Sequence, residues 1–323
     1  MKDIKENTEE IFNDLKEILN LDNIYINHEL KKYTSFKIGG KCKIFIEITD
    51  VDNLIKIMKY IKENDIKYFI LGSGTNIVFP SSGFNGIVIK INIDIIEVLK
   101  EKDYEKHNIK SYNSEDIYVK AGAGLKLSEM IKTLAEDGIG DLANIYGIPG
   151  SVGGAIKMNA GAFGTEIKDI LYSAIFLDDN LDICEYGNEK LNLGYRKSIF
   201  KDEKHIILYG IFKLKKVNKE KHIEEMQSIM QRRIDKQPLD YPSAGSTFKR
   251  GDRFITSMLL DNLGLKGFKV GGAMVSTKHA GFVINYDNAT SDDVKNIVEE
   301  IKKIVKEKEN KNLETEIIFV DGE

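Results

Sequence analysis

The sequence predicts an α+β protein of more than one domain, and three observations carry that reading. Short apolar runs of strand length are mixed with stretches of helical periodicity, without the long βαβ series that a doubly wound sheet needs. The 323 residues suffice for two or three domains. Residues 147–164 hold six glycines in eighteen positions. Such a stretch forfeits backbone entropy on ordering and is not expected to form an ordinary helix or strand. It offers bare backbone, with Ile148, Val152 and Ile156 to pin it inward. That suits a wall around a large flat or anionic ligand.

The elements follow in order. Ile4, Ile11, Phe12, Leu15, Ile18 and Leu19 recur at helical spacing and predict a helix over 4–19. A strand is expected over 43–49 and a helix over 51–64. A strand over 68–71 runs straight into Gly72-Ser73-Gly74-Thr75-Asn76. Strands over 86–96 and 117–121 bracket a polar loop at 100–115. The helix over 127–137 is stopped by Gly138. After the glycine-rich wall come strands over 170–177, 181–186 and 205–216, then a helix over 219–236. A polar loop with Pro238 and Pro242 leads into Ser243-Ala244-Gly245-Ser246. A helix over 253–263, a glycine cluster from 264 to 272 and a strand over 282–285 follow. Ser291 is the expected cap of a helix carrying Val294, Ile297, Val298, Ile301 and Val305. A strand over 316–320 ends the chain. Natural boundaries fall near 90 and near 217.

Composition excludes several classes. Hydrophobic content of 42% and charged content of 30% fit a soluble globular protein. A net charge of −4 argues against a nucleic-acid partner. Cys42 and Cys184 are far apart, and the five histidines show no pairwise ligand spacing, so no metal site is expected. The charged N-terminus has no apolar signal region, and no apolar run reaches the length of a membrane span. A cytoplasmic protein, read as a monomer, is the expectation.

The 72–76 loop could hold a diphosphate, through close backbone approach and the donors Ser73, Thr75 and Asn76. It is neither a dinucleotide fingerprint, since Ile77 stands at the third glycine position, nor a P-loop. Arg196, in Tyr195-Arg196-Lys197-Ser198, presents a planar fork suited to a carboxylate or phosphate, though by itself a surface ion pair is the more ordinary role. Ser246 sits among small residues but lacks a Gly-x-Ser-x-Gly elbow, which disfavours a hydrolase nucleophile. Glu314 and Glu316 flank Thr315 at a strand start and should share a face. His279 lies between a glycine-rich turn and a strand, where a structural histidine is common.

Taken together and in order, these segments resemble the UDP-N-acetylenolpyruvoylglucosamine reductase (MurB) family. The set is Thr34-Ser35-Phe36-Lys37-Ile38-Gly39-Gly40, Gly72–Asn76, Gly147–Gly154 with Asn159–Gly164, Tyr195–Ser198, Pro242–Lys249, Lys278–Phe282 and Leu313–Glu316. The resemblance covers nearly all of the chain from about residue 20. It implies an N-terminal helix over 1–19 and a two-part FAD-binding domain of the vanillyl-alcohol-oxidase type over 20–90 and 91–217. A C-terminal α+β substrate domain would take 218–323.

The resemblance also implies a reaction. NADPH reduces FAD, and the flavin reduces the enolpyruvyl ether of UDP-N-acetylglucosamine enolpyruvate to the lactyl ether of peptidoglycan synthesis. The residues implied to bind FAD are Gly72, Ser73, Gly74, Thr75, Asn76, Pro149, Gly150, Ser151, Gly153, Gly154, Asn159 and Gly161. Arg196 and Glu316 would polarise the developing enolate, and Ser246 would protonate it. Tyr195, Lys236, Lys249 and His279 would contact the substrate. The interval from Arg196 to Ser246 is too short for the extra tyrosine-bearing loop of one branch, so the chain resembles the loop-lacking branch. Lys37 and Gly251 stand where arginine and proline are expected. Two other readings remain open at this level: an FAD oxidase acting on a hydroxy acid or sugar, and a flavin-free module that binds a nucleotide sugar.

Overall fold

The computed structural model describes residues 4, 7–19, 22–110, 113, 115–202 and 204–322. Two large sheets organise the first two thirds of the chain. The first is mixed, in the order Ile24–Glu29, Lys41–Ile48, Phe84–Ile91, Tyr68–Leu71. Its first pair is antiparallel and the other two pairs are parallel. Alternation along Lys41–Ile48 sends Ile44, Ile46 and Ile48 to one face and Phe45 to the other. Helices Thr8–Leu19 and Val51–Glu63 cover the isoleucine face with Ile11, Leu15, Leu54, Ile57 and Met58. Fully burying each such side chain contributes about 1.5–3 kcal/mol. The first helix starts at Thr8, later than the spacing predicted, and residues 5 and 6 lie outside the described residues. Ile24–Glu29 was not anticipated: its mostly exposed side chains leave no apolar run to read.

The second sheet is antiparallel, in the order Ile183–Gly187, Leu171–Leu177, Ile206–Lys216, Asp116–Gly122, Ile96–Val98. The expected strand over 86–96 is therefore divided: Phe84–Ile91 belongs to the first sheet and Ile96–Val98 to the second. The segment expected as a polar loop at 100–115 contains a helical turn, Glu101–Tyr104, whose tyrosine packs edge-on to Tyr118. Buried His107 is 2.9 Å from Glu185, and residues 111, 112 and 114 lie outside the described residues. Helix Lys219–Lys236 packs on Leu127–Glu136 and on the turn Ala143–Ile145, so its buried stripe joins this part of the core.

The C-terminal part has a small antiparallel sheet, Lys269–Val270, Ala273–Val275 and Val283–Asn285. It packs with helices Thr256–Asn262 and Ser291–Glu309. Thr290, not Ser291, caps the second of these helices: its Oγ1 accepts the Asp293 N–H at 3.1 Å in a capping box. Ser291 is buried and exchanges two 2.9 Å hydrogen bonds with Ser81. Phe36, Ile38 and Val78 lie in the same apolar cluster as this helix. The final strand, Ile318–Phe319, pairs in parallel with Ile77–Val78. The end of the chain is thereby brought beside the 72–76 loop. Among the described residues no helix is long and apolar enough to cross a membrane.

Candidate active site

Strand Tyr68–Leu71 delivers the loop Gly72–Asn76, and the chain packs tightly around it. Gly74 has φ +63°, and a Cβ there would sit 2.0 Å from the Tyr33 carbonyl oxygen. The Ser35 N–H donates to the Gly74 carbonyl at 3.0 Å, so the segment around residue 35 clamps the loop from below. On the other side the Thr75 hydroxyl donates to the Pro149 carbonyl at 3.1 Å, joining this loop to the glycine-rich wall.

The wall itself corrects the sequence expectation. Residues Val152–Met158 form a helix, with Ser151 as its cap accepting the Gly154 N–H at 3.2 Å. Tertiary packing overrides propensity here. Val152, Ala155 and Ile156 are buried. A Cβ on Gly153 would lie 2.8 Å from that of Ala123, so glycine is what lets the helix approach the turn that follows strand Asp116–Gly122.

Facing this cradle is a corner made of side chains. Arg196 sits at φ +53° in the turn 194–197, whose ends exchange backbone hydrogen bonds of 3.1 and 3.0 Å. The turn is fastened from outside. The Ser198 hydroxyl donates to the Lys157 carbonyl at 2.6 Å, and the Asn159 amide donates to Gly194 O at 2.9 Å and to Glu166 at 3.0 Å. Arg196 Nε meets Glu316 Oε1 at 2.5 Å, with the two side chains 18% and 11% exposed. The Glu316 N–H donates to Thr247 O at 2.9 Å, and the Asn76 amide donates to Glu316 O at 3.2 Å. Thr247 is buried, donates its N–H to Gly281 O at 2.8 Å and accepts the Val283 N–H at 2.9 Å. This anchoring holds the neighbouring half-buried Ser246 on the cleft wall. Tyr195 stacks on Arg196, with the guanidinium 5.1 Å from the ring centre. His279 Nδ1 accepts the Gly281 N–H at 3.1 Å, which leaves Nε2 to carry the proton in the neutral ring. Burial holds the His279 imidazole below its usual pKa.

Cradle and corner line one cleft of about 1640 Å³. Eight lysine and arginine residues and four carboxylates line it, although the whole chain carries −4. That imbalance favours an anionic ligand. Gly72–Asn76, Pro149, Gly150, Ser151, Gly153, Gly154, Gly161, Tyr195, Arg196, Ser246, His279 and Glu316 all lie on the cleft.

Three expected site residues do not. Asn159 is fully buried beneath the wall, its amide spent on Glu166 and Gly194 and its Oδ1 accepting the Lys168 N–H at 2.8 Å. It braces the Arg196 turn and does not line the cleft. Lys236 is exposed at the end of its helix. Lys249 turns outward to Glu314 at 2.8 Å. Glu314 and Glu316 do not share a face, because Thr315 makes only an isolated bridge to Phe248 and the backbone then bends.

Among the cleft residues that were missed, one stands out. Arg233 is buried on the stripe His222, Met226, Ile229, Arg233. The available signal was an arginine falling on the apolar face of a helix, at spacings of four and three.

With the family matches that accompany them, these features define an FAD-dependent oxidoreductase. Residues 42–180 match the family model of the FAD binding domain, and residues 237–320 match the C-terminal domain of UDP-N-acetylenolpyruvoylglucosamine reductase. Similar proteins include the UDP-N-acetylenolpyruvoylglucosamine reductases of Caldanaerobacter subterraneus subsp. tengcongensis and Clostridium novyi. The first is 39% identical over 95% of this chain and 96% of its own. The second is 38% identical over 96% of each. The crystal structure of the Thermus caldophilus enzyme matches with a TM-score of 0.72 and 29% identity, over 92% of this chain and 98% of that one. The chain belongs to the UDP-N-acetylenolpyruvoylglucosamine reductase family.

Proposed function

We propose that the protein reduces UDP-N-acetylglucosamine enolpyruvate to UDP-N-acetylmuramate, with NADPH as reductant. The observation that carries this reading is the convergence of Arg196, Glu316 and Ser246 on the cleft that the two glycine-rich segments wall. The cradle suits FAD: glycines of both segments line the cleft with bare backbone, Ser73 and Thr75 lie on it, and the surrounding charge is positive. Gly72–Asn76, Pro149–Ser151, Gly153, Gly154 and Gly161 would hold the cofactor. When bound, FAD supplies the hydride for C3 of the enolpyruvyl group.

The chain's own residues handle the charge that develops. Arg196 is a fixed cation beside the site of the enolate, and a preorganised charge in a water-poor cleft favours the transition state over the ground state. Glu316 accepts from Nε and so fixes the guanidinium plane, leaving the other N–H groups for the substrate carboxylate. Ser246 delivers the proton to C2. A serine is a weak acid, but a carbanion-like acceptor is basic enough to take its proton. Tyr195 and His279 lie where they could contact the sugar or diphosphate. On this reading residues 20–217 supply the cofactor cradle together with Tyr195 and Arg196 of the substrate corner, and 218–323 supply Ser246, His279 and Glu316, in a cytoplasmic monomer.

A visible absorption spectrum tests the proposal. The purified protein should show a flavin band that NADPH bleaches and UDP-N-acetylglucosamine enolpyruvate restores. A colourless protein that takes up no FAD would overturn the reading. Recovery of the band with oxygen and peroxide release, and no response to the UDP-sugar, would favour an oxidase instead.

A further inference from the structure

Arg233 stands in the last turn of helix Lys219–Lys236, 7% exposed and on the wall of the cleft. Its Nε is buried without a hydrogen-bond partner. Among the described residues no carboxylate pairs with it. The acids nearest in role are committed elsewhere, Glu166 to Lys168 and Asn159, and Glu316 to Arg196. Burial alone depresses its basicity, and no charged neighbour offsets that. A lysine so placed could shed its proton, but a guanidinium stays charged. A buried cation with no counter-charge is costly, and an apolar side chain in its place would remove that cost. An anion entering the cleft would remove it as well.

The position says which anion. A Cβ at Gly147 would lie 3.0 Å from Arg233 Cδ and 3.2 Å from Nε, so the arginine stem lies against bare backbone at the head of the wall. Two residues on, Pro149 is bonded to Thr75 of the other glycine-rich loop. The arginine stem therefore packs two residues along the chain from the place where the two loops meet. The residue falls between the two segments that match family models, 42–180 and 237–320.

We propose that Arg233 is the counter-ion of a diphosphate bound in the cleft, a role distinct from that of Arg196. A diphosphate comes to this cleft from either FAD or the UDP-sugar. The proposal rests on the reading of the cleft given above.

The test compares wild type with Arg233→Met and Arg233→Lys. It measures FAD affinity by flavin fluorescence, KM for the UDP-sugar, and melting temperature with and without inorganic pyrophosphate. Loss of a charge-assisted hydrogen bond weakens binding by about 10- to 100-fold. That loss is expected in Arg233→Met, with partial recovery in Arg233→Lys. Weakened FAD binding assigns Arg233 to the cofactor, and a raised KM with full flavin assigns it to the substrate. Without ligand, Arg233→Met should melt no lower than wild type, because an apolar side chain replaces an unpaired buried ion. Pyrophosphate should raise the melting temperature of the wild type and not that of Arg233→Met. Unchanged affinity, KM and pyrophosphate response in Arg233→Met would overturn the proposal. So would a lower melting temperature as its only effect. If the wild type binds neither FAD nor the UDP-sugar, the functional reading fails. The pyrophosphate comparison then still decides whether Arg233 holds an anion.

Discussion

The cradle and the corner face each other across one cleft and are built on opposite plans. The cradle is main chain: loops 72–76 and 147–154 meet through the Thr75 hydroxyl and the Pro149 carbonyl, and a Cβ at Gly74 would strike backbone. The corner is side chain: Arg196 and Glu316 lie 120 residues apart and meet at 2.5 Å, with Ser246 brought in on a third segment. The contrast shows how binding and chemistry divide. Gripping a large anionic ligand needs exposed N–H groups and empty space, which a short glycine-rich stretch supplies by itself. Placing a cation and a proton donor needs a frame that joins distant segments. Here that frame is the pairing of Ile318–Phe319 with Ile77–Val78, the Asn76 amide on Glu316 O, and Asn159 under the Arg196 turn. Asn76 belongs to both plans, since it sits in the 72–76 loop and holds the backbone of a corner residue.

If the division is real, the two regions should fail differently. The largest effect is expected at Ser246. Ser246→Ala should cut turnover by about 10²- to 10⁴-fold, the usual worth of a placed proton donor. Flavin content and reduction of the flavin by NADPH should be unchanged. Stopped-flow traces of the two half-reactions check this, and equal turnover in the mutant would remove Ser246 from the acid role.

Gly74→Ala attacks the other side. At φ +63° a side chain costs about 1–2 kcal/mol, and the clash with the Tyr33 carbonyl adds to that. The expected result is a lower melting temperature together with loss of flavin. A variant that kept its flavin and melted normally would show that the cradle is not held by backbone approach.

A smaller effect separates the regions by pH. Burial holds the imidazole of His279 below its ordinary value. The unfolded chain therefore binds that proton more readily, so this contribution to stability is complete above about pH 6.5 and is lost as pH falls below it. His28 and His222 are shifted in the same direction by burial. The melting temperature should drop between pH 7 and pH 5.5, and His279→Gln should shrink that drop without abolishing it. An identical pH profile in the variant would contradict the shift.

What could be read from the sequence follows the same division. Tyr68–Leu71 running into Gly72, and helix Lys219–Lys236, were legible because periodicity and glycine are local signals. Helix Val152–Met158 was not, because its glycines look unfavourable until the turn they press against is known. Ser291 read as a cap, but Thr290 holds that place, and the serine hydroxyl is used against Ser81. Glu314 and Glu316 were expected on one face by strand alternation, which a bend after Thr315 defeats. Arg196, Ser246 and Glu316 each looked ordinary in isolation. Their convergence depends on long-range contacts that no local pattern encodes, and only the order of the motifs pointed to it. Arg233 was hidden for a different reason: a basic residue near a helix end reads as surface until the burial of its stripe is seen.

Lys249 gives the smallest expected effect and the sharpest test of where the corner ends. Resemblance to the family sets it against the substrate, whereas the structure turns its ammonium to Glu314 at 2.8 Å, on the outside of the cleft. Glu314 is 75% exposed, and ion pairs this open contribute next to nothing to stability. The backbone N–H of Lys249 donates to Glu314 O at 2.9 Å and does not depend on the side chain. Lys249→Ala should therefore leave the melting temperature and flavin content unchanged. If the orientation persists with substrate bound, KM for the UDP-sugar should also be unchanged. A large rise in KM with kcat and flavin intact would mean that the side chain leaves Glu314 and swings inward when substrate arrives. Lys249 would then belong to the corner, and the corner would be completed by its ligand.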